Sequence, residues 1–325
     1  MTAPRTRHFS ACSMRHGLLI DMASANLVFD TKRYAINDGP GVRVTIFLKG
    51  CPLNCNWCHN PESVSPKMEK MYSASKCIGA LSCINDCPEN ALSLTPDKGV
   101  VTDFDLCNMC GICAESCPSS AMEMVAVYMD VAAVIETIYE ERQIIEQSGG
   151  GVTFSGGEPL MHHKFLIEAL DACREEGFHS TVDTSGFASK SILLDVARRT
   201  DHWLYDLKSM DPEKHKKWTG VSNKKILKNL VALAKTGASI NIRIPLIEGV
   251  NADDANIIAT ARFVRSLDGE PKQVNILPYH KIAENKYEKL GRKINLEGMS
   301  EPSVDRQQEV LRIFEAHGLE AIVGG

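Results

Sequence analysis

The segment 49–62, KGCPLNCNWCHNPE, carries three cysteines whose spacing could support iron chemistry. Cys51, Cys55 and Cys58 follow the pattern C-x3-C-x2-C, and no fourth cysteine lies nearby. Three such thiolates can bind three irons of one cubane cluster and leave its fourth iron open to a small molecule. A zinc site and a plain redox cluster are the alternatives, but zinc needs a fourth ligand and His59 lies too close to Cys58 to supply it. We therefore predict an iron–sulfur centre with one open coordination position.

A second group of cysteines forms two ferredoxin-type runs; its members are Cys77, Cys83, Cys87, Cys107, Cys110, Cys113 and Cys117. The later run is complete, whereas the earlier run has Ala80 where its second cysteine belongs. In two-cluster ferredoxins the fourth cysteine of each run binds the other cluster. This rule predicts one complete auxiliary cluster, which takes Cys87 from the earlier run. It also predicts a second cluster, one thiolate short, which takes Cys117 from the later run.

The incomplete auxiliary cluster has three alternatives. It could be a three-iron cluster, a four-iron cluster with Ser82, Asp86 or water as the fourth ligand, or a cluster that has been lost. Retention of some cluster is favoured because three of its cysteines remain. The insert as a whole is expected to relay electrons to the first centre.

Composition narrows the class of protein. The chain has 325 residues, 12 cysteines and a formal net charge of -5, which gives no general case for nucleic-acid binding. No apolar run reaches the ~18 residues of a membrane helix, so no membrane partner is expected. Clustered cysteines without a secretory signal indicate metal binding in a reducing, cytoplasmic setting. Residues 1–26 lack strand-like sequence, and we interpret them as a disordered tail or a mis-assigned start, with Met22 as the alternative start.

The remaining sequence predicts an α/β fold of repeated strand–helix units, built as an open or closed barrel. The first strand and the cysteine loop occupy 27–65, a Cys-rich insert occupies 66–125, and the rest of the barrel occupies 126–325. Further strands are expected at 152–155, 180–183, 203–207, 239–244, 273–277 and 319–323, separated by amphipathic helices. The charged run 214–217 is predicted to be a solvated helix face.

Polar and glycine motifs follow these strands, at the end where such barrels place their chemistry. The residues are Gly156, Gly157, Glu158, Asp183, Thr184, Ser185, Asp206, Lys208, Arg243 and His280. Each has a plainer interpretation as well. The glycines and Glu158 could form an ordinary strand-to-helix turn, Asp183 to Ser185 a capped turn, the charged residues ion pairs, and His280 a structural histidine.

The cysteine loop, with Trp57 before its last cysteine, resembles the cluster loop of the radical S-adenosylmethionine superfamily. The flanking sequences Asp38-Gly-Pro-Gly-Val-Arg and Cys58-His-Asn-Pro-Glu narrow the resemblance to the glycyl radical enzyme activating enzymes, specifically the subtype with a two-cluster ferredoxin-like insert. It extends from residue 27 to the end of the chain. The family's fold is a partial (β/α)6 barrel, which the resemblance implies here.

The resemblance also implies cofactors and roles. S-adenosylmethionine would bind the open iron of a [4Fe-4S] cluster, with Trp57, His59, Gly156, Gly157, Glu158, Asp183, Thr184, Ser185, Lys208 and His280 as cofactor-binding residues. A monovalent cation at Asp183, Thr184 and Asp206 is implied as well. Asp38 would help to hold the glycine loop of the partner protein.

The implied reaction starts when flavodoxin or ferredoxin reduces the cluster, which then cleaves S-adenosylmethionine to methionine and a 5′-deoxyadenosyl radical. That radical would remove a Cα hydrogen from one glycine of a partner glycyl radical enzyme. The partner types expected are choline trimethylamine-lyase, isethionate sulfite-lyase, glycerol dehydratase and hydroxyphenylacetate decarboxylase. Two alternatives remain: a radical enzyme acting on a small molecule or another peptide, and a non-enzymatic ferredoxin-type electron carrier.

Overall fold

Strands and helices alternate through most of the chain, as the periodicity predicts. The structure is a computed structural model that describes residues 14–15, 18–19, 25–270, 272–293 and 295–324. Its strands are β1 (Met14–Arg15), β2 (Leu18–Leu19), β3 (Asn26–Ala35), β4 (Arg43–Leu48), β5 (Lys70–Tyr72), β6 (Leu92–Thr95), β7 (Gly99–Thr102), β8 (Met122–Met124), β9 (Val127–Met129), β10 (Gly151–Gly156), β11 (His179–Thr184), β12 (His202–Asp206), β13 (Ser239–Leu246), β14 (Gln273–Pro278) and β15 (Ala321–Val323).

The α-helices are α1 (Ser82–Asn85), α2 (Ile112–Glu115), α3 (Val131–Tyr139), α4 (Arg142–Ser148), α5 (His163–Glu175), α6 (Lys190–Ala197), α7 (Pro212–Thr219), α8 (Lys224–Ala234), α9 (Asp254–Arg265), α10 (Glu284–Lys289) and α11 (Val304–Ala316). Single 3₁₀ turns lie at Pro61–Ser63, Ala74–Lys76, Pro159–His162 and Lys281–Ala283. Most of residues 1–26 lie outside the described part of the chain, so their interpretation as a tail or a mis-assigned start stays a prediction.

Nine strands form one open sheet in the order β15-β14-β13-β12-β11-β10-β4-β3-β9. The strands β4 and β10 to β14 are parallel, and β3 runs antiparallel to β4 at one side. The six parallel strands correspond to the predicted partial (β/α)6 barrel, and the short parallel strand β15 adds a seventh. The α/β class and the incomplete barrel are therefore confirmed.

The central strands are buried on both faces, which explains why they consist of nearly continuous apolar and β-branched residues. In β4 (RVTIFL) five of the six residues are buried, and β10 (GVTFSG) also buries five of its six. Helix α5 packs its apolar stripe against this sheet, and Cys173 on that stripe is fully buried, as expected of a core residue. The parallel register brings the carboxyl ends of β4 and β10 to β14 to the same edge of the sheet.

Residues 70–124 lie outside the large sheet and form two small antiparallel pairs, β5 with β8 and β6 with β7, beside the one-turn helices α1 and α2. The two cysteine runs share a backbone conformation. Leu81 and Gly111 precede α1 and α2 with φ of 60° and 85°, and Asn90 and Ser120 both have φ of 49°. The same sequence offset relates both pairs, so the insert is an internal repeat. The boundaries predicted for the insert and the other segments remain predictions.

One sequence interpretation is wrong. His215 was expected to face solvent within a charged helix face, but its side chain is only 1% exposed. Its Nδ1 lies 2.6 Å from the carbonyl oxygen of Val221 and 3.0 Å from Thr219 Oγ1. These contacts fix the end of α7, which supports the cysteine loop. No helix in the described ranges is both long and apolar enough to cross a membrane.

Candidate active site

The cysteine loop leaves β4 and is held by backbone hydrogen bonds at both of its ends. The amide of Gly50 donates to the carbonyl of Ser63 at 2.6 Å, and the amide of Cys51 donates to Val64 at 3.0 Å. In its middle, Asn54 and Asn56 donate to the carbonyls of Thr219 and Trp218, which end α7, at 2.8 and 3.1 Å. The loop is therefore positioned by two separate elements of the fold.

A cavity of about 340 Å³ opens between this loop and the ends of β10 to β14. Most of the predicted site residues line it: Asp38, Cys51, Cys55, Trp57, Cys58, His59, Gly156, Gly157, Asp183, Thr184, Ser185 and Lys208. Asp206 and Arg243 line it as well. The structure thus brings together residues separated by up to two hundred positions, because the parallel strands all end at this edge.

The surroundings of the three cysteines disfavour free thiolates but suit thiolates that are bound to a cationic iron group. Burial raises the pKa of Cys51 and of Cys58, and it raises that of Cys55 to about 12, although Lys208 opposes the shift at Cys55. Such thiols release their protons only when positive charge replaces them. Among the described residues, no three His, Cys, Asp or Glu side chains converge on one metal ion. Cluster thiolates each bind a separate iron and need not converge.

Gly156 and Gly157 allow the end of β10 to approach the cysteine loop at backbone distance. A Cβ on Gly157 would lie 2.2 Å from the carbonyl oxygen of Gly50, and one on Gly156 would lie 2.4 Å from backbone atoms of Leu48. Gly156 also has φ of +115°, a conformation that L side chains rarely adopt. Both glycines are therefore required by packing, and both also present backbone to the cavity.

Glu158 is fully buried behind the cavity wall. Its carboxylate accepts hydrogen bonds from Thr184 Oγ1 at 2.5 Å, from the Ser185 amide at 2.9 Å and from the Leu160 amide at 3.2 Å. Burial raises the pKa of Glu158, and these donors oppose the shift. In this geometry Glu158 positions the end of β11, whereas its predicted contact with S-adenosylmethionine remains a prediction.

A network of opposite charges crosses the cavity floor. Arg243 Nη1 lies 3.1 Å from Asp183 Oδ2, and Lys208 Nζ donates to Asp206 Oδ2 at 2.7 Å. Ser155 Oγ also donates to Asp183, at 2.7 Å. Burial raises the pKa of Asp183 to about 6 although Arg243 opposes the shift. Burial alone would lower the pKa of Lys208, but Asp206 and the nearby cysteines outweigh it and raise it.

Asp38 reaches the cavity from its floor, through the turn between β3 and β4. Its Oδ2 accepts a hydrogen bond from Thr45 Oγ1 at 2.8 Å, and its carbonyl accepts one from Thr153 Oγ1 at 2.6 Å. Both partners lie on central strands, which fix the turn inside the barrel. A role for Asp38 in holding a partner's glycine loop stays a prediction.

His280, like Glu158, is a predicted site residue that does not line the cavity, but it lies on the solvent side. Its side chain is 63% exposed, and its Nδ1 lies 3.8 Å from Glu301. The backbone of His280 does approach the site, since its carbonyl accepts a hydrogen bond from His59 Nε2 at 3.1 Å. The His59 ring stacks on Tyr279, with ring centroids 5.9 Å apart. Contact between the His280 ring and a cofactor therefore remains a prediction.

Basic side chains hold the cysteine loop in place, and two of them, Lys286 and Arg292, belong to no motif of the sequence. Lys286 Nζ donates to Glu62 Oε1 at 2.6 Å and to Asn60 Oδ1 at 2.8 Å. Lys49 is fully buried, and its ammonium pairs with Glu69 at 2.8 Å. A third clamp, Arg292, also bonds Glu69 and the carbonyl of Pro61. Because Lys286 and Arg292 lie more than two hundred positions from the loop in the sequence, only the fold reveals them.

The seven cysteines of the insert divide between two pockets in the predicted crossed arrangement. One pocket is lined by Cys87, Cys107, Cys110 and Cys113, and the other by Cys77, Cys83, Cys117, Ala80 and Ser82. Backbone amides point at the crossing sulfurs: Ala91 donates to Cys87 Sγ at 3.3 Å and Ala121 to Cys117 Sγ at 3.2 Å. Amide-to-sulfur hydrogen bonds are typical of iron–sulfur sites. The pockets therefore fit clusters.

Comparisons with known proteins agree with this geometry. The sequence matches the family profile "Radical SAM superfamily" over residues 106–261, "4Fe-4S single cluster domain" over 37–95 and "4Fe-4S dicluster domain" over 76–121. It is 40% identical to the trans-4-hydroxy-L-proline dehydratase activating enzyme of Clostridioides difficile, over 92% of this chain and 99% of that protein.

Two further relatives are nearly as similar. The chain is 36% identical to the (2S)-3-sulfopropanediol dehydratase activating enzyme of Klebsiella oxytoca, over 94% of this chain and 99% of that one. It is 33% identical to the 4-hydroxyphenylacetate decarboxylase activating enzyme of Clostridium scatologenes, over 93% and 98%. With iron–sulfur clusters and S-adenosylmethionine as its cofactors, the chain belongs to the glycyl radical enzyme activating enzymes of the radical S-adenosylmethionine superfamily.

Proposed function

We propose that the cavity beside the cysteine loop is where this activating enzyme binds S-adenosylmethionine and receives the glycine of its partner. One observation carries the proposal: Cys51, Cys55 and Cys58 line a single cavity together with glycine backbone and charged side chains from several strand ends. A cluster held by these cysteines would supply the one electron needed to cleave S-adenosylmethionine, and the 5′-deoxyadenosyl radical so formed would take a glycine Cα hydrogen from the partner.

The side chains around the cavity divide that work. The three cysteines hold the cluster, and the backbone of Gly156 and Gly157 leaves room for a ligand against it. The Lys208 ammonium, 2.7 Å from Asp206, is placed to meet a carboxylate at the same edge. Trp57 and His59 line the cavity on either side of Cys58, the last cysteine of the loop.

The cation implied at Asp183, Thr184 and Asp206 is a finer part of the proposal. In the structure Arg243 and Lys208 already place positive charge beside the two carboxylates. A monovalent cation would share these carboxylates with them. Binding of S-adenosylmethionine measured in sodium, potassium and tetramethylammonium buffers tests this point, and equal affinities in all three would remove the cation from the proposal.

The partner is a glycyl radical enzyme, and we propose one that acts on a small molecule by dehydration, lyase chemistry or decarboxylation. The three relatives above are named for two dehydratases and one decarboxylase, at similar identity. Asp38, on the cavity floor, is the residue proposed to contact the incoming glycine loop. Knowing which glycyl radical enzyme is encoded beside this protein would choose between the types.

We also propose that the insert holds one complete four-iron cluster and one cluster with three cysteine ligands, and that flavodoxin or ferredoxin donates the electrons. The crossed cysteine sets support this assignment. Ser82 lines the pocket of the second cluster beside Ala80, whereas Asp86 does not, which favours Ser82 or water as the fourth ligand. Iron analysis and EPR of anaerobically prepared protein test it. Iron equivalent to only two four-iron clusters would remove the second auxiliary cluster.

The decisive experiment for the main proposal uses the reconstituted protein with S-adenosylmethionine and dithionite under anaerobic conditions. We expect 5′-deoxyadenosine and methionine in equal amounts, and a glycyl radical EPR signal when the neighbouring glycyl radical enzyme is added. An electron carrier would give neither product. A radical enzyme that acts on a small molecule would give 5′-deoxyadenosine but no protein radical, which would contradict the proposal.

A further inference from the structure

Lys70 is a buried lysine whose ammonium faces two cysteine sulfurs. Lys70 is only 7% exposed, and its Nζ lies 3.6 Å from Cys107 Sγ and 3.9 Å from Cys113 Sγ. Among the described residues it makes no ion pair with a carboxylate within 4.0 Å. The adjacent acid, Glu69, is already paired with Lys49 and Arg292. Lys70 is thus a buried cation whose nearest polar partners are sulfur atoms.

A buried ammonium needs a counter-ion, because removing it from water without one is costly. Two neutral thiols do not provide that charge, whereas an iron–sulfur cluster with four thiolates carries net negative charge. The cysteines that Lys70 contacts belong to the complete set formed with Cys87 and Cys110. The cluster proposed for this pocket is therefore the counter-ion that the position of Lys70 requires.

The pocket of the incomplete set has no comparable cation. Its lining consists of apolar, small and hydroxyl residues around the three cysteines: Ile78, Gly79, Ala80, Leu81, Ser82, Leu94, Val100, Pro118 and Ser119. The internal repeat makes the backbones of the two pockets alike, yet only the pocket of the complete set, in the described chain, has a lysine on its wall. Glu89 also lines the pocket of the complete set, but it is exposed, so the buried charge that distinguishes the two pockets is the Lys70 ammonium.

We propose that Lys70 raises the reduction potential of the complete auxiliary cluster, so that an electron entering the insert settles on it. Reduction adds one negative charge to the cluster. A fixed positive charge and N–H donors at the sulfurs stabilise that reduced state, so the potential rises. The electron comes from the external donor, and no bond forms or breaks. This inference rests on the cluster assignment proposed above and makes Lys70 a tuning residue, not a catalytic one.

The test is a redox titration followed by EPR on the full-length, anaerobically reconstituted protein. The signal of the complete cluster is identified as the one lost in Cys110→Ala. Lys70→Met keeps the length of the side chain but removes its charge. In this variant we expect the equilibrium constant for reduction of that cluster to fall at least tenfold, which lowers its one-electron reduction potential by about 59 mV. Lys70→Arg should recover most of the shift.

Lys76→Met is the matched control, because Lys76 lies in the same insert with a side chain 47% exposed and paired with Glu123 on the surface. It should leave both auxiliary potentials unchanged. If Lys70→Met fails to retain iron, Lys70→Gln replaces it, since glutamine keeps an N–H donor and lacks the charge. Unchanged potential in a cluster-loaded neutral variant would overturn the proposal, as would an equal shift of both clusters.

Cleavage of S-adenosylmethionine with dithionite, measured on the same samples, reports the proposed function separately. It should be the same in Lys70→Met as in the unmodified protein, because dithionite reduces the cluster of the cysteine loop directly. Normal cleavage without a potential shift would reject the role of Lys70 alone. Absence of cleavage in the unmodified protein would reject the proposed function instead.

Discussion

The barrel cavity and the insert pockets use the same ligand, cysteine, in opposite surroundings. The cavity of about 340 Å³ beside the three-cysteine loop exposes glycine backbone, carboxylates and cations at the strand ends. The insert pockets are far smaller and are wrapped by the cysteine runs themselves. In the insert, backbone amides already point at sulfur, as from Ala121 to Cys117. Burial raises the pKa of the loop cysteines and also of Cys83 and Cys113 in the insert. At Cys117, by contrast, amide and hydroxyl donors outweigh burial and lower the pKa.

This difference teaches that the space around a cluster, more than its ligands, determines the chemistry available to it. A cluster wrapped by its own loop can exchange electrons but leaves no room for a cosubstrate. A cluster at the open edge of a parallel sheet can bind a cosubstrate through its free iron and position it with side chains from several strands. The two regions should therefore respond differently to equivalent substitutions.

The largest contrast is expected between cysteines of the two regions. Cys55→Ala removes a ligand of the cluster that meets S-adenosylmethionine, so cleavage should fall to background even with dithionite. Cys110→Ala removes a proposed ligand of the complete auxiliary cluster, so dithionite-driven cleavage should persist while cleavage driven by the proposed donor, flavodoxin or ferredoxin, declines. Formation of 5′-deoxyadenosine under both reductants is the measurement. Equal loss in both variants would show that the insert is more than an electron relay.

A smaller contrast is expected between two glycines. A Cβ at Gly157 would meet the carbonyl oxygen of Gly50 at 2.2 Å, so Gly157→Ala must push the cysteine loop away from β10. Overpacking of this kind costs roughly 1–3 kcal/mol, and here it acts on the loop that holds the cluster. We expect loss of iron from that loop and at least tenfold slower cleavage of S-adenosylmethionine.

Gly79→Ala is the matched control, because a Cβ there has open space although φ is +73°. Backbone strain of roughly 1–2 kcal/mol should then affect the insert alone. Iron content and dithionite-driven cleavage together separate the two variants. If Gly157→Ala retained full iron and full activity, the close approach of β10 to the loop would not be needed for the site.

Much of this site could be predicted before the fold was known. The two crossed cysteine sets follow from the spacing of the ferredoxin runs. The strands of the barrel can be predicted because both of their faces are buried, which makes them continuous apolar segments. What sequence could not show depends on distant partners. His215 looks solvated beside Lys214, yet its ring bonds to Val221 within the fold. Lys70 belongs to no motif, and its contact with the cysteine sulfurs appears only in the fold, where β5 passes Cys107 and Cys113.

The charged side chains on the cavity floor allow a further test of whether the cavity binds S-adenosylmethionine. Lys208→Met removes the ammonium that bonds Asp206 at 2.7 Å and faces the cavity. A charge-assisted hydrogen bond contributes roughly 1.5–3 kcal/mol, so we expect S-adenosylmethionine to bind roughly ten- to a hundredfold more weakly. Anaerobic calorimetry measures the affinity. Lys214→Met is the control, because Lys214 pairs with Asp253 on the surface and should leave the affinity unchanged.

The smallest expected effect concerns the pH dependence of stability. Burial raises the pKa of Asp183 to about 6, so the folded state holds this proton more tightly than the unfolded chain, whose carboxyl titrates near 4. The stabilisation this group contributes is therefore present at low pH and is lost as pH rises through about 6. Between pH 5.5 and 7.5 the loss should be about 1 kcal/mol, since one pKa unit corresponds to about 1.4 kcal/mol.

In Asp183→Asn that pH-dependent part should disappear, although overall stability should fall because Arg243 loses the carboxylate 3.1 Å away. Anaerobic thermal unfolding of both proteins at the two pH values measures the difference, in which other titrating groups cancel. The effect is small because the Arg243 guanidinium already offsets part of the free-energy cost of burying the Asp183 carboxylate. An identical pH dependence in both proteins would mean that water reaches Asp183 freely, and the cavity floor would then be wetter than its packing indicates.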